Sequence, residues 1–405
     1  MRKQQRLVIA GATLLAATMA MSACGSRTEA PSGGDSAASD KTVKIGVIVP
    51  LTGDNSLPGL GIKNAVDLAI KEANQKKTIP GWTIEMDAQD DQATPDVGKN
   101  AATQLAGDDE VAAVVGTLNS GVAQQVQPIL NSANIAEVSP ANTNPTLTQG
   151  AKWQTSPTRP YKNYFRTVTT DAVQGPFAAK YLYDSGIKKV ATINDKQTYG
   201  QGLVATFTEA FKAAGGTVTS AETINVGETK FNTVISRVQG GSPQAVYYGG
   251  QYAEAGPLSA QMKQAGLNIP LMGGDGIYTS DFLQKAGKSG TGDLATSVGA
   301  PTESLPSAKA FVAAYTAAGY KEEYGAYGAY SYDATNAIIN SLKVSLEGAS
   351  DVMSAREKTI EELSKVSLDG VTGNLSFDEF GDTKIKVLTV YKVQGGKWVP
   401  VKTGS

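Results

Sequence analysis

Two successive runs of short apolar segments, alternating with amphipathic segments, limit what this chain can fold into. The first run begins at residue 43 and the second at about residue 172. Between the short segments, apolar residues recur at three- and four-residue spacing, as at Ile62, Val66 and Ile70, which is typical of a helix that buries one face. Strands separated by such helices predict βαβ units, with a parallel sheet covered by helices on both faces. We therefore expect an α/β fold made of two similar lobes.

The periodicity assigns most of the chain to strands or helices. The predicted strands are 43–49, 82–88, 111–115, 135–138, 190–194, 217–224, 245–248, 270–272, 295–299, 371–377 and 386–393. The predicted helices are 62–73, 96–106, 121–132, 172–184, 200–214, 230–238, 253–265, 307–318, 328–347 and 354–365. Ligands of open α/β sheets bind outside the carboxyl ends of the strands, so the loops after strands are where binding residues are expected.

The amino terminus has the pattern of an export signal. Arg2, Lys3 and Arg6 precede an apolar stretch that ends at Met21, and small residues follow. This pattern predicts a secretory signal over residues 1–23, and the apolar stretch is shorter than the roughly 20 residues of a membrane span.

The sequence Met21-Ser22-Ala23-Cys24 contains the chain's only cysteine and resembles a bacterial lipobox. The resemblance implies a signal peptide of the lipoprotein type, lipidation of Cys24 and anchoring to the membrane; the alternative is a free thiol. Residues 24–40 are rich in Ser, Gly, Ala and Asp and predict a flexible tether. We therefore expect an extracytoplasmic lipoprotein.

Composition excludes several function classes. The chain has no histidine, which removes Ser-His and Cys-His nucleophile pairs and histidine metal sites. Without residues 1–23, 33 Lys and Arg face 38 Asp and Glu, a net charge of about −5. No basic block is available for phosphate backbones, so nucleic acid is not an expected partner. With no catalytic motif found, we expect a binding protein without a metal or cofactor.

Three loops after first-lobe and second-lobe strands carry candidate binding residues. Ser120 precedes a helix and either supports an anion beside free backbone N–H groups or caps that helix. Thr143 lies in the polar loop 139–145, which is either a binding loop or an ordinary turn. Asp275, in the sequence Gly-Gly-Asp-Gly, either pairs with a ligand ammonium or forms a local turn.

Two further loops follow strands of the second lobe. They contain Tyr199 and Tyr252, which either close over a ligand or pack on the lobe surface.

Seven stretches in this order resemble the leucine/isoleucine/valine-binding family of type I periplasmic binding proteins, the solute receptors of ABC importers. They are IGVIVPLTG, DDQATPD, SPANTNPTLTQ, FRTVTTDAVQGPFAAKYL, INDKQTYGQGL, VYYGGQYAEAG and MGGDG. The resemblance covers about residues 43–402. It implies two Rossmann-like lobes with parallel-sheet cores, joined by three hinge crossings near residues 168–170, 297–300 and 373–377. Lobe 1 is then expected to comprise residues 41–168 and 300–373, and lobe 2 residues 169–299 and 374–405.

The resemblance also assigns roles to residues at matching positions. Ser120 and Thr143 would hold the ligand α-carboxylate. Asp275 and the main-chain carbonyl of Ala141 would hold the α-ammonium, and Tyr199 would meet the ligand when the lobes close.

The positions expected around the ligand side chain depart from the family pattern. Gln251 stands where relatives with branched-chain ligands often carry tyrosine, and Leu57 and Pro58 stand where they often carry an aromatic residue. Tyr327 is expected to line the same pocket.

The expected function is therefore capture of an amino acid, branched-chain or otherwise aliphatic, by a monomeric receptor that delivers it to an ABC permease. Two alternatives keep the same fold. In one, the ligand is a short amide, urea or an aromatic acid; in the other, the protein is a ligand sensor.

Overall fold

The computed structural model describes residues 41–405. The predicted signal peptide over residues 1–23, the lipidated Cys24 and the tether over residues 24–40 lie outside the described residues. Within residues 41–405, no helix combines the length and apolar character needed to cross a membrane.

The first part of the described chain alternates strands and helices as predicted. Its elements are β1 (Lys41–Val49), α1 (Ser56–Gln75), β2 (Trp82–Asp90), α2 (Pro95–Ala106), β3 (Val111–Gly116), α3 (Ser120–Ser132), β4 (Ala136–Ser139), α4 (Thr146–Gln149) and β5 (Tyr164–Arg166). The five strands form one parallel sheet in the order β2-β1-β3-β4-β5. The crossovers between these parallel strands bring helices to the sheet, as the apolar periodicity predicts.

The second run of the same pattern builds a separate sheet. Its elements are α5 (Asp171–Asp184), β6 (Lys189–Asn194), α6 (Thr198–Ala213), β7 (Thr217–Thr223), α7 (Asn232–Gly240), β8 (Ala245–Gly249), α8 (Tyr252–Gln264), β9 (Leu271–Gly273), α9 (Ser280–Ala286) and β10 (Leu294–Val298).

The carboxyl-terminal part contributes to both regions. Its elements are α10 (Lys309–Ala318), α11 (Gly328–Ser345), α12 (Arg356–Ser364), β11 (Ser367–Gly370), β12 (Gly373–Ser376), β13 (Leu388–Gln394) and β14 (Lys397–Gly404). The second sheet has the order β14-β13-β10-β9-β8-β6-β7. Its β13 and β14 are antiparallel to their neighbours, whereas the other pairs are parallel.

The two sheets have separate apolar cores. Residues of α1 and α11, including Ile62 and Ile338, pack with Val47 and Val115 of the first sheet. The second sheet is covered on one side by residues of α7 and α8 and on the other by residues of α5 and α6. The α/β class with two mostly parallel sheets is therefore confirmed. The exact lobe bounds remain a prediction. Near one of them, the ring of Phe377 packs on that of Phe165 of β5, with 5.0 Å between the ring centroids.

Helix α1 begins earlier than predicted because two glycines allow close approach. The apolar spacing predicted a helix over residues 62–73, but α1 begins at Ser56. A methyl group at Gly59 would overlap the main-chain oxygen of Pro50, and one at Gly61 would lie 2.7 Å from the main-chain oxygen of Glu323. The first turn of α1 thus packs through its backbone. It therefore lacks the apolar side-chain spacing that would have predicted a helix there.

The strand predicted over residues 371–377 is confirmed as β12 (Gly373–Ser376), but it begins two residues later than predicted. Residues 371 and 372 form a turn that joins β12 to β11, a strand that was not predicted, in an antiparallel hairpin. The carboxylate of Asp333 on α11 accepts hydrogen bonds from the N–H groups of Val371 and Thr372 at 2.7 and 2.8 Å. These contacts stabilise a turn where the apolar pattern alone predicted continuous extension. The short strand β5, the helix α9 and the final strand β14 were not predicted.

Candidate ligand-binding site

The candidate residues lie where strands of the two sheets end. Ser120 begins α3 directly after β3, and Thr143 follows β4. Tyr199 lies in the first turn of α6 after β6, Gln251 follows β8, and Asp275 follows β9. All five positions therefore lie just after the carboxyl ends of strands, as predicted.

Asp275 has a carboxylate that is surrounded by neutral hydrogen-bond donors. The hydroxyl of Tyr199 donates to its Oδ1 at 2.8 Å, and the hydroxyl of Tyr327 donates to its Oδ2 at 2.7 Å. The Nε2 of Gln174 donates to Oδ1 at 2.9 Å. Asp275 is only 2% exposed, so these hydrogen bonds are shielded from bulk water.

A second buried carboxylate, which the sequence reasoning missed, lies beside the first. Asp171 begins α5, is fully buried, and accepts a hydrogen bond from Gln174 Nε2 at 3.0 Å. The same amide nitrogen therefore contacts both Asp171 and Asp275. The Oδ2 of Asp171 has no hydrogen-bond partner. The available signal was an acid at the start of a helix that follows the polar residues Thr169 and Thr170.

Within residues 41–405, no positively charged side chain forms an ion pair with either of these two carboxylates. The most buried ion pairs within residues 41–405 join Arg166 to Asp382 and Lys263 to Asp293, and neither includes Asp171 or Asp275. Burying an unpaired carboxylate is costly, so a cationic group fits this position electrostatically.

The pKa directions agree with this picture. Burial, followed by the charge of Asp275, raises the pKa of Asp171 to about 7. Burial also raises the pKa of Asp275, against the opposing effect of its hydrogen bonds from Tyr327, Gln174 and Tyr199. Burial raises the pKa values of the Tyr199 and Tyr327 hydroxyls well above the usual range, so both remain donors to Asp275. The site therefore favours neutral carboxyls until a cation compensates them.

The loop after β4 brings an unused hydroxyl to the same place. The Oγ1 of Thr143 is buried and makes no hydrogen bond of normal geometry, although it lies close enough to Asp171 to lower the pKa of that carboxyl. The carbonyl of Thr143 accepts from the N–H of Asp171 at 2.8 Å. Ala141 is 4% exposed, and its N–H donates to the hydroxyl of Ser139 at 3.2 Å. A buried hydroxyl without a partner is uncommon and can donate to a ligand anion.

A buried arginine holds this loop in its shape. The Nη1 of Arg166 donates to the carbonyls of Asn142 and Asn144 at 3.1 and 2.8 Å, on either side of Thr143. The Nε of Arg166 donates to Asp382 at 2.5 Å, and both side chains are 1% exposed or less. Arg166 therefore fixes the position of Thr143 through the two residues that flank it.

Three of the predicted residues line one polar cavity. Ser120, Tyr199 and Gln251 border a cavity of about 380 Å³. Helix α3 has Asn119 at its N-cap position, without a side-chain capping bond, and Ser120 is the first helical residue. The interpretation of Ser120 as a helix cap is therefore wrong.

Three further predicted residues border a second cavity. Leu57, Pro58 and Tyr327 border a small cavity of about 30 Å³, which we call the inner cavity. Leu57 also packs against the apolar core on the α7–α8 side of the second sheet. Tyr252, for which packing was one of two interpretations, is 1% exposed and belongs to that same core.

Comparison with known proteins agrees with the fold. Residues 42–397 match the family model described as periplasmic binding protein. A Leu/Ile/Val-binding protein homolog 1 from Brucella suis is 34% identical over 355 residues, which cover 87% of this chain and 91% of the relative.

Solved structures give the same result. The leucine-binding protein LivK from Thermotoga maritima superposes with a TM-score of 0.79 at 29% identity, covering 89% of this chain and 98% of that protein. The branched-chain amino acid transporter protein LivJ from Streptococcus pneumoniae, in complex with isoleucine, superposes with a TM-score of 0.78 at 27% identity. It covers 89% of this chain and 100% of that protein. With a strand-end site between two α/β sheets and these relatives, the chain belongs to the type I periplasmic binding proteins, in the family of branched-chain amino acid ABC-transporter substrate-binding proteins.

Proposed function

We propose that this protein captures an amino acid between its two sheets and delivers it to an ABC permease. The observation that carries the proposal is the buried pair of Asp171 and Asp275, which shares the Gln174 amide as a donor and forms no ion pair within residues 41–405. An α-ammonium supplies the missing charge. The buried hydroxyl of Thr143 lies beside Asp171 and supplies a donor for the α-carboxylate.

The residue roles follow from this chemistry. Asp275, supported by Asp171 and the carbonyl of Ala141, holds the ammonium, while Ser120 and Thr143 hold the carboxylate. Tyr199 orients Asp275 and contacts the ligand. A zwitterion satisfies both halves of such a site at once, because charge-assisted hydrogen bonds in a dry cleft are strong.

The ligand side chain is proposed to be aliphatic in its first carbon atoms. Leu57 and Pro58 provide apolar contact at the inner cavity, which Tyr327 also lines. Gln251 borders the cavity that Ser120 and Tyr199 line. Relatives named for leucine, isoleucine and valine support this class of ligand.

Calorimetric titration tests the proposal. A protein comprising residues 41–405, unfolded and refolded to remove carried-over ligand, is titrated with the twenty amino acids, urea, acetamide and benzoate. We expect one-to-one binding of at least one amino acid to the unchanged protein. We expect this binding to be lost in Asp275→Ala. Binding only of urea, an amide or benzoate would contradict the ammonium role of Asp275 and favour the alternative ligand class.

Family membership implies an extracytoplasmic location. We further propose that the protein acts as a monomer and is anchored to the membrane by lipid on Cys24. Cells expressing Cys24→Ser should release the protein into the soluble extracytoplasmic fraction, whereas the unchanged protein should pellet with membranes. Equal pelleting of both proteins would contradict the lipid anchor. Co-purification with permease subunits, in the presence of ligand, separates transport from a sensor role.

A further inference from the structure

The inner cavity shares its walls with a larger cavity farther from Asp275. This outer cavity has a volume of about 480 Å³, compared with about 30 Å³ for the inner one. Six residues line both cavities: Tyr278, Thr279, Ser280, Glu323, Gly325 and Ala326. The two spaces are therefore adjacent, and the inner cavity lies between the ligand clamp and the outer one.

Two small residues contribute to the wall between the two cavities. Gly325 and Ala326 line both, and Tyr327, whose hydroxyl donates to Asp275, follows them directly. A Cβ at Gly325 would meet no other atom within 4 Å, so the backbone there borders open space. At these two positions the wall therefore carries no side chain larger than a methyl group.

The outer cavity is lined by aromatic rings and carboxylates. Tyr278 lies 4.1 Å from Tyr391 and 5.7 Å from Trp398, measured between ring centroids, and all three line the cavity. Glu303 and Glu323 add two carboxylates, against the single cationic side chain of Lys397. The hydroxyl of Tyr324 donates to Glu303, whereas Glu323 makes no side-chain hydrogen bond or ion pair in the described residues.

This combination favours a positive charge. Aromatic faces attract ammonium and guanidinium groups, and an adjacent carboxylate adds a direct Coulomb attraction. Glu323 lines both cavities, so it is the first charged group that a ligand side chain reaches beyond Leu57 and Pro58.

We propose that the ligand side chain extends from the Asp275 clamp through the inner cavity to Glu323, and that the protein selects extended side chains that end in a cation. This inference rests on the proposed function, because it takes the α-ammonium at Asp275 as its starting point. The apolar contacts of Leu57 and Pro58 then hold the methylene groups, and the aromatic rings and Glu323 hold the charged end.

Lysine and norleucine provide the matched ligand pair, since they share the four-carbon chain and differ in the terminal ammonium. Affinities of both are measured by calorimetry for the unchanged protein and for Glu323→Gln. We expect lysine to bind more tightly than norleucine, and Glu323→Gln to weaken lysine about three- to tenfold, the range of partly exposed charge and cation–π contacts. Norleucine should bind both proteins equally.

A second variant tests the path itself. Ala326→Leu narrows the passage between the cavities, so it should weaken lysine and norleucine at least about tenfold and valine and alanine much less. An unchanged thermal midpoint of the ligand-free protein shows that the variant is folded.

The outcomes separate the two proposals. Equal affinity of lysine and norleucine in the unchanged protein, or equal loss of all four ligands in Ala326→Leu, would overturn the extended pocket while leaving amino-acid binding intact. Failure of every amino acid to bind would overturn the proposed function, and this inference with it.

Discussion

At Asp275, a carboxylate is prepared for a cation by groups that are not themselves charged. Two tyrosine hydroxyls and one glutamine amide fix its position, with donor–acceptor distances of 2.7 to 2.9 Å. Neutral donors orient the carboxylate without supplying the opposite charge, so electrostatic stabilisation is left for a ligand. Gln174 extends the arrangement to Asp171, which doubles the negative charge available to a bound ammonium.

Asp275→Asn should greatly weaken amino-acid binding. The amide keeps the size of the side chain but removes the charge, so we expect a loss of about 2–5 kcal/mol in binding free energy, the scale for truncating one member of a buried charge pair. Calorimetric titration measures the loss. Asp109→Asn, an exposed position, is the matched control, and wild-type affinity in Asp275→Asn would refute the role of the carboxylate.

The affinity should depend on pH through Asp171. With its pKa raised to about 7, Asp171 in the free protein loses its proton as the pH rises through neutrality. A bound ammonium favours the ionised form, so affinity should increase from about pH 5.5 to about pH 7.5. Titrations at several pH values measure this slope, and Asp171→Asn should flatten it. A slope that persists in the variant would assign the titration to another group.

The same shift has an opposite effect on the stability of the free protein. The carboxyl in the folded state keeps its proton to higher pH than the roughly 3.9 of an unfolded aspartate. Between about pH 4 and pH 7 the folded state binds more protons, so the contribution of Asp171 to the free energy of unfolding falls as the pH rises. Thermal midpoints of the ligand-free protein should show a smaller decrease over this interval in Asp171→Asn.

At the scale of elements, one short strand couples the binding loop to the crossing between the sheets. Strand β5 has only three residues and ends at Arg166, just before the chain passes to α5 and the second sheet. Arg166 contacts the loop after β4 and pairs with Asp382, which precedes β13. Residues 166 and 382 also form an isolated bridge between their backbones. The shape of the binding loop therefore depends on contacts with a segment more than 200 positions later.

Asp382→Asn should destabilise the fold through this contact. Removing the carboxylate leaves Arg166 buried without its charge partner, so we expect the free energy of unfolding to fall by about 3–5 kcal/mol. Denaturant titration measures the change. Lys180→Met, which breaks the exposed pair with Asp184 on α5, serves as the control and should produce no measurable change. Equal effects of the two substitutions would mean that the buried pair stabilises the fold no more than the exposed pair does.

At the scale of the whole molecule, hydrogen bonds join the regions of the two sheets directly. The Nδ2 of Asn144 donates to the carbonyl of Thr198 at 2.9 Å, and Tyr327 donates to Asp275. The Oδ1 of Asn144 accepts from the N–H of Thr146 at 2.9 Å, which fixes the direction of its Nδ2. Such contacts are available only when the cleft is closed, which is the usual response of this architecture to ligand.

Asn144→Ala should therefore weaken ligand binding, although we do not place Asn144 in contact with the ligand. Loss of one hydrogen bond of about 1 kcal/mol predicts an affinity about fivefold lower, mainly through faster dissociation. Small-angle scattering should show a smaller radius of gyration on saturation with ligand, and a smaller decrease for the variant. Asn374→Ala, in the hairpin of β11 and β12, is the control. An unchanged radius on saturation would refute closure.

Sequence alone determined the elements whose pattern is local. The alternation of apolar strands and one-sided helices predicts two α/β regions, since burial of one face produces the same periodicity wherever the helix lies. The rule that ligands bind at strand ends then selects Ser120, Thr143 and Asp275. The resemblance to the family added the clamp roles and Tyr327, which local patterns do not distinguish from packing residues.

Only the tertiary structure decided which groups meet. Asp171 and Gln174 read as ordinary positions of α5, yet Gln174 contacts Asp275 across 101 positions of sequence. Likewise, no local pattern distinguishes Arg166 from an ordinary polar position, although it organises the loop around Thr143. Periodicity records which face of an element is buried but carries no information about its partner. Contacts between distant segments depend on how the two sheets pack, and that packing creates the uncompensated carboxylate pair that a ligand can neutralise.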